Sequence, residues 1–344
     1  MANYTVAEDE YDVLIDGDLG GEEADVCDES GTAVLSALQA GQLCAALFAA
    51  GLLANSLLLF ILIKYKGLRH VENIYFLNVA LSNLCLLLPL PFWAAAAWRG
   101  GGLGRPVCGV LLALQSLGLH GEALFTVLLT VHASQVRGLS AGLRTATCGI
   151  ALALLAWLTA FLVTLPELVF YKPPGDEQVS LCSFSSPGFL PAEETSWARV
   201  LTLKMNAVVL LFPLVVLLGV CLGRRSRQEQ RERFQLVCAM AVVFLLMWAP
   251  YNTVLFLSAF KECFSLRGCK SDSQLDSGLQ VAKLIATAHC WANLPLCALL
   301  DPAFRGHLCG LLPGCGHSGR QPSGRESLGD RGTPRDSQDL ATRL

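Results

Sequence analysis

The sequence predicts an all-α membrane protein: a seven-transmembrane helix bundle with its N-terminus outside the cell and its C-terminus inside. Of its 344 residues, 53% are hydrophobic and only 15% are charged, whereas a soluble domain usually carries about 25% charged residues. The apolar residues fall into seven segments, each long enough to cross a bilayer as a helix of ~20 residues. These segments are 35–63, 72–98, 108–136, 145–168, 198–222, 234–260 and 277–303.

The positive charges in the connecting segments give the orientation. Connections on one side of the bundle contain ten Lys and Arg residues, against six on the other side. Because loops rich in Lys and Arg tend to stay in the cytoplasm, the first side is predicted to face inward. The chain then divides into an extracellular arm 1–34, the bundle 35–303 and a cytoplasmic tail 304–344, in which a short amphipathic helix precedes disordered chain. This topology predicts a multi-pass protein of the plasma membrane.

The predicted extracellular arm is strongly acidic. Residues 1–30 contain eleven Asp and Glu residues, and the first 63 residues contain no Lys or Arg. Such a segment cannot bury enough apolar surface to fold alone, so we expect a disordered arm that attracts a basic protein from solution. Asn3 begins an Asn-Tyr-Thr sequon, which predicts N-glycosylation because the arm is placed outside.

Several cysteines lie in the predicted extracellular segments, where an oxidising environment would allow them to pair. Cys108 begins the third apolar segment, Cys182 lies in the long connection after the fourth, and Cys27 lies in the arm. Cys269 precedes the seventh segment, and Cys263 competes with it as a second partner for the arm. The residues by themselves leave this choice open.

Motifs of other protein classes are missing from the sequence. It contains no H-E-x-x-H and no G-x-x-x-x-G-K-[ST] phosphate loop, and its one G-x-S-x-G pattern, at 138–142, lies between two apolar segments and does not follow a predicted strand. We therefore expect no enzyme activity and no cofactor. No C-x-x-C pair occurs, so no metal site is predicted. The basic run 224–233 lies beside the membrane without interleaved aromatic residues, which predicts contact with anionic lipids rather than with nucleic acid. A transporter would need a continuous polar path, and Asn83, Glu122 and His289 are too few to form one.

Short motifs lie at particular places in the apolar segments. They are Gly51-Leu-Leu-Ala-Asn55, Leu77-Asn78-Val-Ala-Leu-Ser82, Pro91-Phe92-Trp93, Cys108 with Cys182, Pro213, Trp248-Ala-Pro250-Tyr251-Asn252 and His289-Cys290. Together these motifs resemble the chemokine-receptor type of rhodopsin-like, class A G-protein-coupled receptor. The resemblance implies two extracellular disulfides, Cys108–Cys182 and Cys27–Cys269.

The resemblance also implies which residues meet a ligand. In the arm and in the outer part of the bundle, they are Glu8, Asp9, Glu10, Tyr11, Asp12, Trp93, Gln115 and Lys283. The acidic neighbours of Tyr11 favour tyrosine sulfation in similar receptors. Lys283 reverses the charge of a glutamate that is common at this position in chemokine receptors. Lys204 either adds a second positive charge to the same cavity or extends its ammonium group to the outer surface.

The inner end of the bundle departs from the family pattern. His132, Ala133 and Ser134 occupy the positions of Asp-Arg-Tyr, whose arginine contacts the G protein. The Asn-Pro-x-x-Tyr motif of the seventh helix is replaced by Asn293-Leu-Pro295-Leu-Cys297, and Cys221 replaces a tyrosine in the fifth helix. Because alanine has neither a charge nor a donor, these altered switch motifs predict loss of G-protein coupling. The alternative is a receptor that signals through unusual switches.

The middle of the bundle is predicted to contain an altered polar pocket formed by Asn83, Glu122, Trp248 and His289. Asn83 replaces the aspartate that forms the sodium site of the family, and Glu122 adds a carboxyl group on the third helix. We favour a neutral Glu122 hydrogen-bonded to Asn83, because desolvation disfavours the charged form of a carboxyl group. The alternative is a carboxylate paired with His289.

Within the family, the resemblance is closest to atypical members. It implies an atypical, non-G-protein-signalling cell-surface receptor that binds chemerin, with chemokines as alternative ligands. Such a receptor presents its ligand to signalling receptors in leukocyte migration and inflammation. The expected partners are therefore a secreted basic protein, membrane lipids, and a second copy or another chemokine receptor in a homo- or heterodimer. A G protein is not expected, and a signalling chemokine receptor is the alternative.

Overall fold

The structure is a computed structural model of the chain. It describes residues 35–99, 103–134, 145–169, 181–182, 195–223, 231–266 and 269–311. The predicted arm, residues 224–230 of the basic run and the tail beyond residue 311 lie outside these described residues.

Helices make up most of the described chain. The α-helices are α1 (Ala37–Ile61), α2 (Val71–Leu87), α3 (Leu90–Trp98), α4 (Arg105–Ser134), α5 (Ala146–Val169), α6 (Thr195–Met205), α7 (Phe212–Gly223), α8 (Arg231–Ala259), α9 (Cys269–Ala288), α10 (Asn293–Leu300) and α11 (Pro302–Leu311). Two π-helical turns, Leu62–Lys66 and Asn206–Leu211, and one 3-10 turn, His289–Trp291, continue or connect them.

Seven membrane spans can be traced through the described helices. Six are single helical stretches that are long and apolar enough to cross a membrane, and a bent pair of helices counts as the seventh. Spans 1 to 7 are Leu38–Lys66, Val71–Trp98, Pro106–Ser134, Ala146–Val169, Ser196–Gly223, Glu232–Ala259, and Ser271–Trp291 with Asn293–Leu300. The predicted all-α, seven-transmembrane bundle is confirmed.

The helix of span 7 begins earlier than the sequence predicts. α9 starts at Cys269, whereas the apolar segment starts at residue 277. The additional turns are polar, so a prediction from hydropathy does not include them in the membrane span. A helix can nevertheless continue beyond the bilayer into water. Asp272 in this extension accepts a hydrogen bond from Lys261 at 2.8 Å, which connects the start of α9 to the end of span 6.

Prolines accompany breaks in two of the spans. In span 2, α2 ends at Leu87 and α3 begins at Leu90, beside Pro89 and Pro91. In span 7 the two helical parts are bent by 41°, a short distance before Pro295. Because proline has no backbone N–H, it cannot donate to the carbonyl group four residues earlier, and the helix is interrupted or redirected there.

Span 3 lies at the centre of the bundle and contacts spans 2, 4, 5 and 6. Its approach to span 2 is very close at Gly118, where an added Cβ atom would lie 2.6 Å from the carbonyl oxygen of Ser82. The buried side chains form an outer cluster that includes Trp93 and Trp248 and an inner cluster that includes Phe125. The polar residues of the middle of the bundle therefore lie between two apolar layers.

Two short strands attach a connecting segment to the bundle. β1 (Leu103–Gly104) and β2 (Leu181–Cys182) pair antiparallel, with Leu103 opposite Cys182. β2 belongs to the long connection between spans 4 and 5, and β1 directly precedes α4. The pairing therefore holds part of this connection beside the start of span 3.

Candidate functional site

Glu122 and His289 form the centre of a buried polar pocket between spans 3 and 7. Oε2 of Glu122 lies 2.5 Å from Nε2 of His289, and each residue is only 2% exposed. When its amide nitrogen faces Glu122, Asn83 donates to both carboxyl oxygens at 3.0 Å and accepts a hydrogen bond from Asn293 Nδ2 at 3.0 Å. The ring of Trp248 packs edge-on against His289, with centroids 5.6 Å apart. The structure thus brings together the four residues predicted to form this pocket.

Backbone groups complete the surroundings of the pocket. Nδ1 of His289 contacts the carbonyl oxygen of Ala286. Nearby on span 1, Asn55 donates to the carbonyl oxygens of Gly51 and Cys290, both at 2.8 Å. Because Asn83 lies on span 2 and Trp248 on span 6, the pocket joins spans 1, 2, 3, 6 and 7, and both predicted partners of Glu122 contact it at once.

A second buried polar cluster lies where span 3 meets spans 4 and 5. Glu167 accepts hydrogen bonds from Ser116 on span 3 and from Lys204 on span 5. Lys204 also donates to the carbonyl oxygen of Val163 at 2.8 Å. His120 lies beside the cluster, with Nδ1 3.2 Å from the Ser116 hydroxyl and Nε2 3.8 Å from Glu167. The ammonium group of Lys204 is therefore bound inside the bundle and does not extend to the outer surface.

The sequence contained a signal for this second cluster that our interpretation did not use. Glu167 is the only charged residue in segment 145–168. An ionisable residue at membrane depth usually faces the bundle interior and a polar partner. The sequence could therefore have predicted a buried Glu167, but not that Lys204 and Ser116 come from the helices that contact it.

The structure describes three of the eight residues predicted to bind a ligand. The Nζ atom of Lys283 lies 5.8 Å from the centre of the Trp93 ring, a cation–π contact, and both residues are buried. Gln115 is buried on span 3. The five predicted residues of the arm, from Glu8 to Asp12, lie outside the described residues, as does Asn3.

The inner ends of the spans surround a cavity of ≈ 730 Å³. His132 and Ala133 line this cavity, so a methyl group occupies the position of the family arginine. The hydroxyl of Ser134 donates to the carbonyl oxygen of Val131 at 2.6 Å. Arg233 on span 6 and Glu72 on span 2 also line the cavity and form an ion pair at 2.8 Å.

The remaining altered switch residues lie apart from one another. Asn293 faces the central pocket through its contact with Asn83, and Pro295 follows the bend in span 7. Cys297 is 3% exposed in the inner apolar cluster, whereas Cys221 is exposed on span 5. Because a thiol is only a weak hydrogen-bond donor, neither cysteine can replace the function of a tyrosine hydroxyl.

The cysteines predicted to pair are described only in part. Cys108 is disulfide-bonded, and Cys182 lies in β2, which pairs with the strand just before α4. Cys263, the alternative partner for the arm, has a free thiol. Since the side chains of Cys182 and Cys269 and all of Cys27 lie outside the described residues, the pairings Cys108–Cys182 and Cys27–Cys269 stay predictions.

Comparison with known proteins identifies the family. Residues 54–296 match the family described as 7 transmembrane receptor (rhodopsin family). The chain is 47% identical to C-C chemokine receptor-like 2 of Homo sapiens, over the full length of both chains. It is 48% identical to chemokine C-C motif receptor-like 2 of Bos taurus, over 96% of this chain and 98% of the relative. The chain belongs to the chemokine-receptor family of rhodopsin-like receptors.

A more distant relative supports the same assignment. The receptor is 35% identical to the probable C-C chemokine receptor type 3 of Mus musculus, over 76% of its own length and 75% of the relative. Membership of this family makes the receptor a multi-pass protein of the plasma membrane. Its ligand is accordingly a secreted peptide or protein.

Proposed function

We propose that the receptor is an atypical chemokine receptor that captures a secreted protein and presents it to signalling receptors, without activating G proteins and without enzyme activity. The proposed ligand is chemerin, with chemokines as alternatives, and the proposed setting is leukocyte chemotaxis and inflammation. Similarity over the whole length to receptors named C-C chemokine receptor-like 2 supports this choice of receptor class.

The single observation that carries the proposal is the inner end of span 3. Ala133 lines the inner cavity at the position where signalling relatives place an arginine. A methyl group cannot form the charged, multidentate contacts of a guanidinium group. The altered residues Pro295 and Cys297 on span 7 add to this loss, because the tyrosine hydroxyl of the family motif is also missing.

The acidic arm supports the part of the proposal that concerns capture. A net negative segment on the predicted extracellular side attracts a basic protein and increases its association rate. Inside the bundle, Lys204 is paired with Glu167, and buried Lys283 lies over the Trp93 ring. A ligand that enters this region would meet a positive charge where most chemokine receptors offer a negative one.

The test compares binding with coupling in the same cells. Labelled chemerin should bind saturably to intact cells that express the receptor. Membranes from these cells should show no chemerin-dependent nucleotide exchange on added G proteins, whereas a signalling chemokine receptor with its own ligand should. Robust exchange by the unmodified receptor would instead support the signalling alternative.

A variant in which the span 3 motif is restored extends this test. We expect the triple variant His132→Asp, Ala133→Arg and Ser134→Tyr to recover little exchange, because Pro295 and Cys297 stay altered. Binding of chemerin by this variant should match that of the unmodified receptor, which shows that it folds and reaches the surface. Full recovery would mean that the span 3 motif alone prevents coupling.

A further inference from the structure

His289 contacts oxygen atoms through both of its ring nitrogens. Nδ1 faces the carbonyl oxygen of Ala286, and Nε2 faces Glu122 at 2.5 Å. A carbonyl oxygen only accepts hydrogen bonds, so Nδ1 carries a proton. Two bare acceptors would repel each other at this distance, so one further proton lies between Nε2 and Glu122. With the proton on either atom, the net charge of the pair is zero.

The neighbouring amides favour the ionised form of this pair. When the Asn83 amide is oriented with its nitrogen toward Glu122, it donates to both carboxyl oxygens while its own oxygen accepts from Asn293, each at 3.0 Å. Hydrogen bonds donated to both carboxyl oxygens favour the ionised form of Glu122, and the proton of the pair is then on His289. In the other amide orientation, Asn83 donates to Oδ1 of Asn55 at 3.2 Å, but its own oxygen then faces the two oxygens of Glu122.

The pocket does not fit the sodium ion that the family implies. Asn83 has replaced the sodium-site aspartate, which removes a negative charge and a ligand oxygen. In the amide orientation that gives Asn83 hydrogen bonds to both Glu122 and Asn293, its nitrogen faces Glu122 and its oxygen already accepts from Asn293. A hard cation requires oxygen ligands with negative charge close by, whereas the charge of this pocket is already compensated by His289.

We propose that His289 is the resident cation of the central pocket, so that the receptor requires no sodium ion at this site. In this arrangement, a side chain of span 7 supplies the positive charge that holds the carboxylate of span 3. The cation cannot exchange with the solution, so the two spans are joined whatever the ionic composition. The proposal is independent of the ligand and of G-protein coupling.

The experiment measures thermal unfolding of the purified full-length receptor in about 150 mM NaCl or choline chloride, an ionic strength near the physiological one. The pH is about 8, where an uncompensated carboxyl group is ionised in water. The unmodified receptor should unfold at the same temperature in both salts. His289→Asn removes the resident cation, so sodium should raise its unfolding temperature by about 2–4 °C relative to choline.

Two further variants isolate the Glu122 carboxylate as the cause. Adding Glu122→Gln to His289→Asn removes the uncompensated charge and should abolish the sodium effect. His120→Asn, the same substitution at a buried histidine of span 3, should show no sodium effect, because Glu167 keeps Lys204 as its cation.

Two results would overturn the proposal. One is a sodium-specific stabilisation of the unmodified receptor. The other is a folded His289→Asn variant with the same unfolding temperature in both salts. If His289→Asn does not fold, Asn83→Asp replaces it in the test, because this variant adds a second carboxyl group beside the intact pair. Sodium should then stabilise Asn83→Asp, and equal stability in both salts would contradict the proposal.

Discussion

Asp301 connects three elements at the inner end of span 7. It accepts a hydrogen bond from Lys66 at the end of span 1 and another from the backbone N–H of Phe304, at 3.0 Å, in α11. The second contact satisfies one of the free N–H groups at the start of α11. Partial burial would by itself raise the pKa of Asp301, but the hydrogen bonds from Lys66 and Phe304 outweigh it and lower the pKa below its ordinary value.

The lowered pKa of Asp301 predicts an acid-dependent contribution to stability. A carboxyl group with a lowered pKa stabilises the folded state above its ordinary pKa of about 3.9, and this contribution is lost as the pH falls through the folded-state value. Asp301→Asn should therefore lower the unfolding temperature at neutral pH and reduce its decrease in acid. Thermal unfolding of both proteins between about pH 3 and pH 7 measures this difference.

Asp272→Asn is the matched control for this prediction. Asp272 forms an ion pair with Lys261 at 2.8 Å, with both side chains about half exposed. Exposed pairs contribute little to stability, so this variant should retain the acid dependence of the unmodified receptor. An identical acid response of Asp301→Asn and the unmodified receptor would show that Asp301 is not the source.

At the scale of helices, span 3 is attached to its neighbours by polar contacts in two directions. Glu122 connects it to span 7, and Ser116 connects it to Glu167, which also binds Lys204 of span 5. Glu167 is buried and its partner Lys204 is half-buried, and loss of either one leaves the other as an uncompensated charge. We expect Glu167→Gln or Lys204→Met alone to destabilise the receptor by about 3 kcal/mol.

A double-mutant cycle tests whether these two effects have a common origin. The double variant Glu167→Gln with Lys204→Met removes both charges, so it should be more stable than the sum of the single losses predicts. Arg199 and Glu262 serve as the control pair, since they join spans 5 and 6 at the exposed outer end at 2.6 Å. Additive effects at Glu167 and Lys204 would mean that their contact contributes nothing to the bundle.

At the scale of the whole molecule, the acidic arm is expected to control the rate of ligand capture. Neutralising the four acids that surround Tyr11 should slow association of chemerin about tenfold at low salt, because the attraction acts over long distances. Dissociation should change less, and the dependence of association on salt should become weaker. Association and dissociation of labelled chemerin on intact cells measure both rates. The four substitutions are Glu8→Gln, Asp9→Asn, Glu10→Gln and Asp12→Asn.

Four acids of the C-terminal tail provide the control for the arm. Neutralising them removes the same formal charge on the predicted cytoplasmic side, so association with cells should not change. If the variant of the arm binds at the original rate in low salt, the capture site lies in the connection between spans 4 and 5 instead. The control substitutions are Glu326→Gln, Asp330→Asn, Asp336→Asn and Asp339→Asn.

The sequence predicted the members of the central pocket but not their arrangement. Asn83, Glu122, Trp248 and His289 could be named because their motifs resemble those of the family. From the sequence alone, a neutral Glu122 is favoured over an ionised one, because desolvation is the only effect on its protonation that can be assessed without coordinates. The 2.5 Å contact with His289 depends on the relative rotation of spans 3 and 7, which no local pattern contains.

The hydrophobic lengths, the charges between them and the motifs determined by themselves that this chain is a seven-span receptor of the chemokine-receptor family. They could do so because a bilayer requires long apolar helices, and this requirement is local in sequence. Only the tertiary structure decided the partners of the buried and half-buried charges: Glu167 with Lys204, Glu122 with His289, and Lys66 with Asp301. These contacts join residues that are far apart in the chain, and they form only when the packed helices place both side chains at the same depth.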